Sequence, residues 1–176
     1  MNPSPLSPSA PTPLLERWCK LLLVASVALF FTLVAFTNLT DPAVNYQFVR
    51  HVLSMDSTFP GNREQWRSIP WPAAHIAFYA CIILWETACA ILAWWASAAL
   101  FRARLSSTTA FLRARRIAVA ALTAGMLLWM VAFLTVGGEW FLMWQSRLWN
   151  GQDAAFRMFT VEGVILILLL LPETAH

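Results

Sequence analysis

The chain has 176 residues, 59% of them hydrophobic and only 12% Asp, Glu, Lys or Arg, about half the charged share of an ordinary soluble domain. The formal charge is +3 and the mean hydropathy is +0.61. These values exclude a disordered protein, a nucleic-acid binder and a water-soluble enzyme of ordinary make-up. They fit a polytopic membrane protein with room for one bundle and no second globular domain.

Residues 1–13 carry Pro3, Pro5, Pro8, Pro11 and Pro13 among Ser, Ala and Thr. Repeated proline forbids a helix and leaves nothing to bury, so a disordered tail is expected. A first span is predicted over about 15–36, with Arg17 and Lys20 at its start and Trp18 at interface level. At about 1.5 Å per residue it covers a hydrocarbon layer of about 30 Å. Cleavage as a signal peptide would need a small-x-small site, and no clear one follows.

A polar loop is expected over 38–70, with a helix inside it. Asp41-Pro42 reads as a helix start, with a side-chain cap and proline in the first turn. Val44, Phe48, Val52 and Met55 then recur at helical spacing, which predicts an amphipathic helix over 42–55 lying on the membrane or on the bundle. The run from Asp56 to Asn62 closes it with turn chemistry. Asn38-Leu39-Thr40 matches the glycosylation pattern, but too close to the membrane to be used.

A second span is predicted over about 72–100, longer than the bilayer needs, with Trp71 at one interface and Trp94 and Trp95 at the other. The third, over about 117–136, is expected to stop at Gly137-Gly138. The aromatic run 139–149, interrupted by Glu139, Gln145 and Arg147, suits a headgroup-level helix better than a span. A fourth span is predicted over about 154–171, ending at Pro172, followed by a short tail at 173–176. No internal repeat points to an inverted-repeat transporter.

Arg102, Arg104, Arg113, Arg115 and Arg116 crowd the linker between the second and third spans, and Arg17 and Lys20 belong to the same side. Arg50, Arg63, Arg67, Arg147 and Arg157 are spread over the longer loops opposite. The denser side is expected to be cytoplasmic, with both termini inside and both structured loops outside. Eight of the ten tryptophans, all but Trp85 and Trp129, fall near a predicted interface, which supports the same assignment. The arginine cluster could also meet anionic lipid or a partner.

Cys19, Cys81 and Cys89 all sit in or beside apolar runs, with no Cys-x-x-Cys pair, so they are expected to be small apolar fillers rather than disulfides or redox thiols. Glu86 and Glu162 are the carboxyls predicted within the hydrocarbon, where burying a charge costs about 2.5–3.5 kcal/mol on insertion scales. Steps of about 100° per residue place His75, Tyr79 and Glu86 on one helix stripe, continued by Ala90, Ala93 and Ser97. Small residues favour a helix-facing stripe. Two readings follow: a carboxyl that takes up protons or an ion, or a protonated carboxyl that joins helices by hydrogen bonds.

His51, Asp56, His75 and Glu139 all fall on the expected outer side, but no HxxxH or HExxH spacing supports a metal site. Haem needs paired histidines at membrane depth, and no cofactor is expected. No serine elbow, phosphate loop, dinucleotide fingerprint or deaminase signature occurs, so an enzyme is not expected.

Three strings carry a resemblance: Phe48 to Asn62, His75 to Glu86 with Trp85-Glu86, and Gly138 to Ser146 followed by Trp149 to Gln152. In this order they resemble the bacterial predicted small integral membrane proteins, the domain of unknown function 2165 family, over about residues 15–171. The resemblance implies a four-span inner-membrane protein and brings no catalytic residues. It points to the outer loops, where distinctive polar residues could serve recognition or simply pack on each other.

The expected architecture is all-α, with four transmembrane helices in a bundle and an extracytoplasmic amphipathic and aromatic cap. The expected function is a non-enzymatic accessory subunit in the bilayer, with a membrane-protein partner or a second copy, and without nucleic acid. Its interaction surface would be Arg50, His51, Asp56, Glu139, Trp140, Trp144 and Trp149. The alternative is a carrier of protons or a small solute through His75, Tyr79, Glu86 and Glu162.

Overall fold

In a computed structural model that describes residues 14–172, every regular element is helical. The expected tails at 1–13 and 173–176 lie outside the described residues. Helix α1 (Leu14–Thr40) runs one turn beyond the predicted span, so Asn38 is helical rather than in a loop. Its buried stripe, Arg17, Leu21, Val24, Ala28, Phe31, Ala35 and Asn38, alternates steps of four and three. That is the spacing of one face of a helix packed on its neighbours.

Helix α2 (Pro42–Ser54) follows after one residue. Pro42 occupies the first turn as expected, but the Asp41 side chain makes no capping bond. The buried face is Val49, Val52 and Leu53, whereas Val44 is exposed, so the face is rotated from the predicted one. Met55 ends the helix in the left-handed region (φ 52°), its N–H donating to Val52 O. The loop to α3 holds one 3₁₀ turn, Gln65–Arg67.

Helix α3 (Pro72–Ala103) spans 32 residues, about 48 Å at 1.5 Å per residue, well beyond a hydrocarbon core of about 30 Å. Helix α4 begins at Thr108, nine residues before the predicted span, with Ser107 Oγ accepting from the Ala110 N–H as its cap. The polar first turns belong to the helix because a helix starts with its hydrogen bonds, not with its apolar run.

At Leu128 the same helix changes to i→i+5 bonding and continues as a π segment to Trp140. Gly137 and Gly138 lie inside this segment and do not stop it. The expected helix over 139–149 is replaced by the end of the π segment, one 3₁₀ turn (Met143–Gln145) and irregular chain. Helix α5 (Gln152–Leu170) closes the fold.

The main packing is α1 on α3 and α3 on α4, with α5 against α4, the π segment and α1. Ala28, Ala93 and Ala121 meet where α1, α3 and α4 come closest, as small residues allow. A larger core runs through the bundle around Val24, Phe31, Leu100, Phe111, Leu122 and Leu128. A second core lies under α2 and contains Val52, Leu53, Met55, Tyr79, Phe141 and Met143. Of the cysteines only Cys89 is buried; Cys19 and Cys81 are exposed on the helix surface, against the expectation of buried fillers.

The end carrying the arginines is clasped by side chains. Arg17 is fully buried and donates to Arg104 O at 3.1 Å and Ser106 O at 2.7 Å, with its guanidinium over the Phe111 ring. Lys20 Nζ donates to Leu171 O at 3.0 Å, and Arg115 to Leu169 O at 3.0 Å. These are carbonyls at or beyond helix C-termini, which lack intrahelical donors and carry the negative end of the dipole.

Candidate functional site

Four of the helices bring polar groups into the bundle interior. The extra turn of α1 places Asn38 beside α3, where its Nδ2 donates to Glu86 Oε2 at 2.6 Å. From α2, Asn45 Nδ2 donates to Asn38 Oδ1. From α3, Tyr79 OH donates to Asn38 O at 2.8 Å, satisfying one of the carbonyls orphaned at the end of α1. Glu86 is 2% exposed, and its second oxygen has no hydrogen bond among the described residues.

These groups line a pocket of about 170 Å³, completed by apolar and aromatic side chains that include Trp129 and Phe133. Beside it, between α3 and the π segment and under α2, lies an apolar cleft of about 230 Å³. Phe48, Val49, Ile82 and Phe133 line both spaces. The cleft exists because α3 packs closely on α4 but only sparsely on the π segment.

Glu162 of α5 is fully buried on the other side of Trp129, whose Nε1 donates to Glu162 Oε1 at 2.8 Å. Its second oxygen is buried and unpartnered among the described residues. Room for the carboxyl is made by Gly125 of α4: a Cβ there would collide with Glu162 Oε2 and with the Phe31 ring. Cys89, one turn along α3 from Glu86, is buried as well. Trp129 therefore stands between the pocket and Glu162, touching both.

Of the residues predicted for a buried site, Tyr79 and Glu86 share the pocket, and Glu162 joins it through Trp129. His75 is buried on the same stripe but is used differently, since its Nε2 bonds Ile69 O at 2.7 Å and fastens the loop before α3. Asn38, Asn45 and Trp129 escaped the sequence reading. The signal for Asn38 was present, since it continues the four–three spacing of the buried α1 stripe. Asn45 and Trp129 depend on packing that spacing does not show.

Of the predicted interaction residues, Arg50 and His51 lie on α2, Asp56 just after it, Glu139 and Trp140 at the end of the π segment, and Trp144 and Trp149 in the chain that follows. Three of them, His51, Asp56 and Trp149, contact one another. His51 Nδ1 meets Asp56 at 2.8 Å and its ring stacks on Trp149 at 4.5 Å. Arg67 donates to Trp140 O at 3.4 Å and lies over the rings of Trp66 and Trp140. Trp144 sits edge-on to Phe59, and Arg50 bonds Gln47. Ser146 Oγ accepts from Ser57 Oγ and from the N–H groups of Leu148 and Trp149. Trp140 at 48% and Trp144 at 45% remain exposed on one side, while Glu139 makes no hydrogen bond or ion pair among the described residues. No group of three or more His, Cys, Asp or Glu side chains able to hold a metal occurs among the described residues.

Three stretches, Leu14–Thr40, Pro72–Ala103 and Thr108–Trp140, are helices long and apolar enough to cross a membrane. Neither a curated protein nor a solved structure matches the chain. A family profile does, over residues 16–172, under the description "Predicted small integral membrane protein (DUF2165)". With the apolar helices and a match over nearly the whole length, the chain belongs to this family of integral membrane proteins, whose function is unknown.

Proposed function

We propose that the chain is a non-enzymatic accessory protein of the bacterial inner membrane that works by holding a small molecule at the Glu86 pocket. In this reading α5 is a fourth span, both termini are cytoplasmic, and the loops over α2 form an outer cap. At 19 residues α5 is about 28 Å long, close to the hydrocarbon thickness. Asp153, Arg157 and Glu162 make it more polar than the other spans, and Glu162 is turned inward. The cap residues would mainly hold the roof of the pocket, leaving the exposed edges of Trp140 and Trp144 for a partner or a second copy.

The observation that carries the reading is a carboxyl inside the bundle that is bonded through one oxygen to Asn38 and lines a pocket. A polar group in a span is costly unless it pairs or serves a function. Purification in mild detergent followed by native mass spectrometry tests it. The wild type is expected to retain a small molecule that Glu86→Gln loses. A wild-type chain that is bare in mild detergent refutes the reading.

A carrier of protons or a small solute is the second reading, favoured by Trp129, which lines the pocket and bonds Glu162. In that case Glu86→Gln would abolish a pH-driven flux in reconstituted vesicles. An accessory protein would show no such flux in the wild type.

A further inference from the structure

We propose that the Glu86 pocket and the adjoining cleft together take a lipophilic amine as its ammonium ion, entering sideways from the lipid. The proposal rests on the reading of the Glu86 pocket as a binding site and names the class of molecule that fits.

Hydrogen-bond accounting selects the head. Each donor group lining the pocket already makes a hydrogen bond, Asn38 Nδ2 to Glu86, Asn45 Nδ2 to Asn38 and Tyr79 OH to Asn38 O, which leaves one amide N–H on each asparagine. The oxygens left over are acceptors, the second oxygen of Glu86 and Oδ1 of Asn45. A bound group that satisfies both oxygens supplies N–H or O–H. Among the described residues, no Lys, Arg or His lines either space. An anionic headgroup would meet a carboxyl without a counter-charge, whereas an ammonium ion pairs with it. The aromatic side chains of Tyr79 and Trp129 line the same pocket, and aromatic rings are favourable neighbours for a cation.

The cleft selects the tail. Its 230 Å³ are walled almost wholly by carbon, which suits an alkyl chain. Its mouth is formed by Phe78, Cys81, Trp85 and Val131, all exposed on the helix surface. In an integral membrane protein that surface meets acyl chains, so a molecule dissolved in the bilayer reaches the pocket without crossing the cap. The Phe48–Phe133 pair, stacked at 6.3 Å, stands on the wall shared by pocket and cleft and must shift to admit the head.

The test uses the full chain in lipid nanodiscs with radiolabelled octylamine, empty nanodiscs as blank, and unlabelled 1-octanol as neutral competitor. Saturable binding near one amine per chain is expected. Glu86→Gln should weaken it at least tenfold, and 1-octanol should not displace it. Val131→Trp, which adds bulk at the mouth and leaves the polar network untouched, should also lower binding while the helical circular dichroism stays unchanged. It keeps the test decisive if Glu86→Gln fails to fold. Equal binding by Glu86→Gln, or displacement by 1-octanol as effective as by octylamine, would overturn the amine class but leave a binding pocket. Absence of saturable amine binding, with native spectra still showing a retained molecule lost on Glu86→Gln, would do the same. Absence of both removes the pocket reading as well.

Discussion

Gly125 offers the most direct check on how the two inner carboxyls are housed. In a helix, replacing glycine by alanine ordinarily stabilises by about 1 kcal/mol, because the backbone loses less freedom on folding. Here the added Cβ would run into Glu162 Oε2 and Cδ and lie 2.9 Å from Phe31 Cζ. Neither neighbour has room to give way. The carboxyl is held by Trp129 Nε1, and Phe31 is fully buried, with one face on Trp129 and an edge on Phe30. Overpacking of this kind costs about 1–3 kcal/mol. Set against the propensity gain, Gly125→Ala should still lower stability, by up to about 2 kcal/mol. Reversible unfolding in mixed detergent micelles, followed by far-ultraviolet circular dichroism, measures it. Glu162→Ala on the same background removes the obstructing carboxyl, and the pair should be non-additive by about 0.5–3 kcal/mol. A Gly125→Ala chain as stable as the wild type, or two strictly additive changes, would refute the placement of Glu162 against α4.

Trp129→Phe keeps most of the ring packing but removes the bond to Glu162 Oε1, so the same unfolding assay should show a loss of about 1–2 kcal/mol, with Glu162→Gln milder. Arg17→Met should cost about 2 kcal/mol or more through the lost charged bonds to Arg104 O and Ser106 O, and should quicken protease cleavage between α3 and α4. Arg17→Lys should rescue it only in part, since one ammonium cannot reproduce the guanidinium fork. Ser146→Ala strips the shared partner from Ser57, Leu148 and Trp149, and faster hydrogen exchange at the latter two amides is the expected result. On a cysteine-free background, a thiol at Ser107 should react with an impermeant reagent only after the cells are opened, and one at Asn62 in intact cells. The reverse pattern would invert the proposed orientation.

What could be read from the residues, and what could not, divides along physical lines. The long apolar stretches mark α1 and α3 to within a few residues, because leaving some twenty apolar side chains in water is far costlier than placing them in hydrocarbon as a helix. The stripe His75, Tyr79, Glu86 emerged for the same reason: 3.6-residue periodicity dominates a straight helix. Boundaries failed where polar residues belong to the helix, at Asn38 and between Thr108 and Ile117. The left-handed turn at Met55 and the rotated face of α2 depend on which loop it meets, as with Ile69 N–H donating to Leu53 O. Such long-range pairings leave no local trace. In the sequence the arginines and Lys20 read as orientation signals, with a lipid or partner contact as the alternative for the linker cluster; that Arg17, Lys20 and Arg115 satisfy carbonyls at the ends of α3 and α5 depends on which ends come together.

The π segment is the feature that ties these pieces into a site. An α-helix over 128–140 would advance about 100° per residue and could follow α3 closely along its length. With i→i+5 bonds, as in Phe141 N–H to Val136 O at 3.0 Å, each residue advances less, and the faces drift from those an α-helix would present. In this register Trp129 turns inward toward both the pocket and Glu162, while Val131 turns outward to the cleft mouth. π geometry is rare, appears mostly as single-turn bulges within α-helices, and is frequent at functional sites. The composition of the segment does not oppose the change: Gly137 and Gly138 allow close approach by Met143 and Gln152 on neighbouring chain. The cleft lies where α3 packs only sparsely on the chain, along the stretch that has left α-geometry.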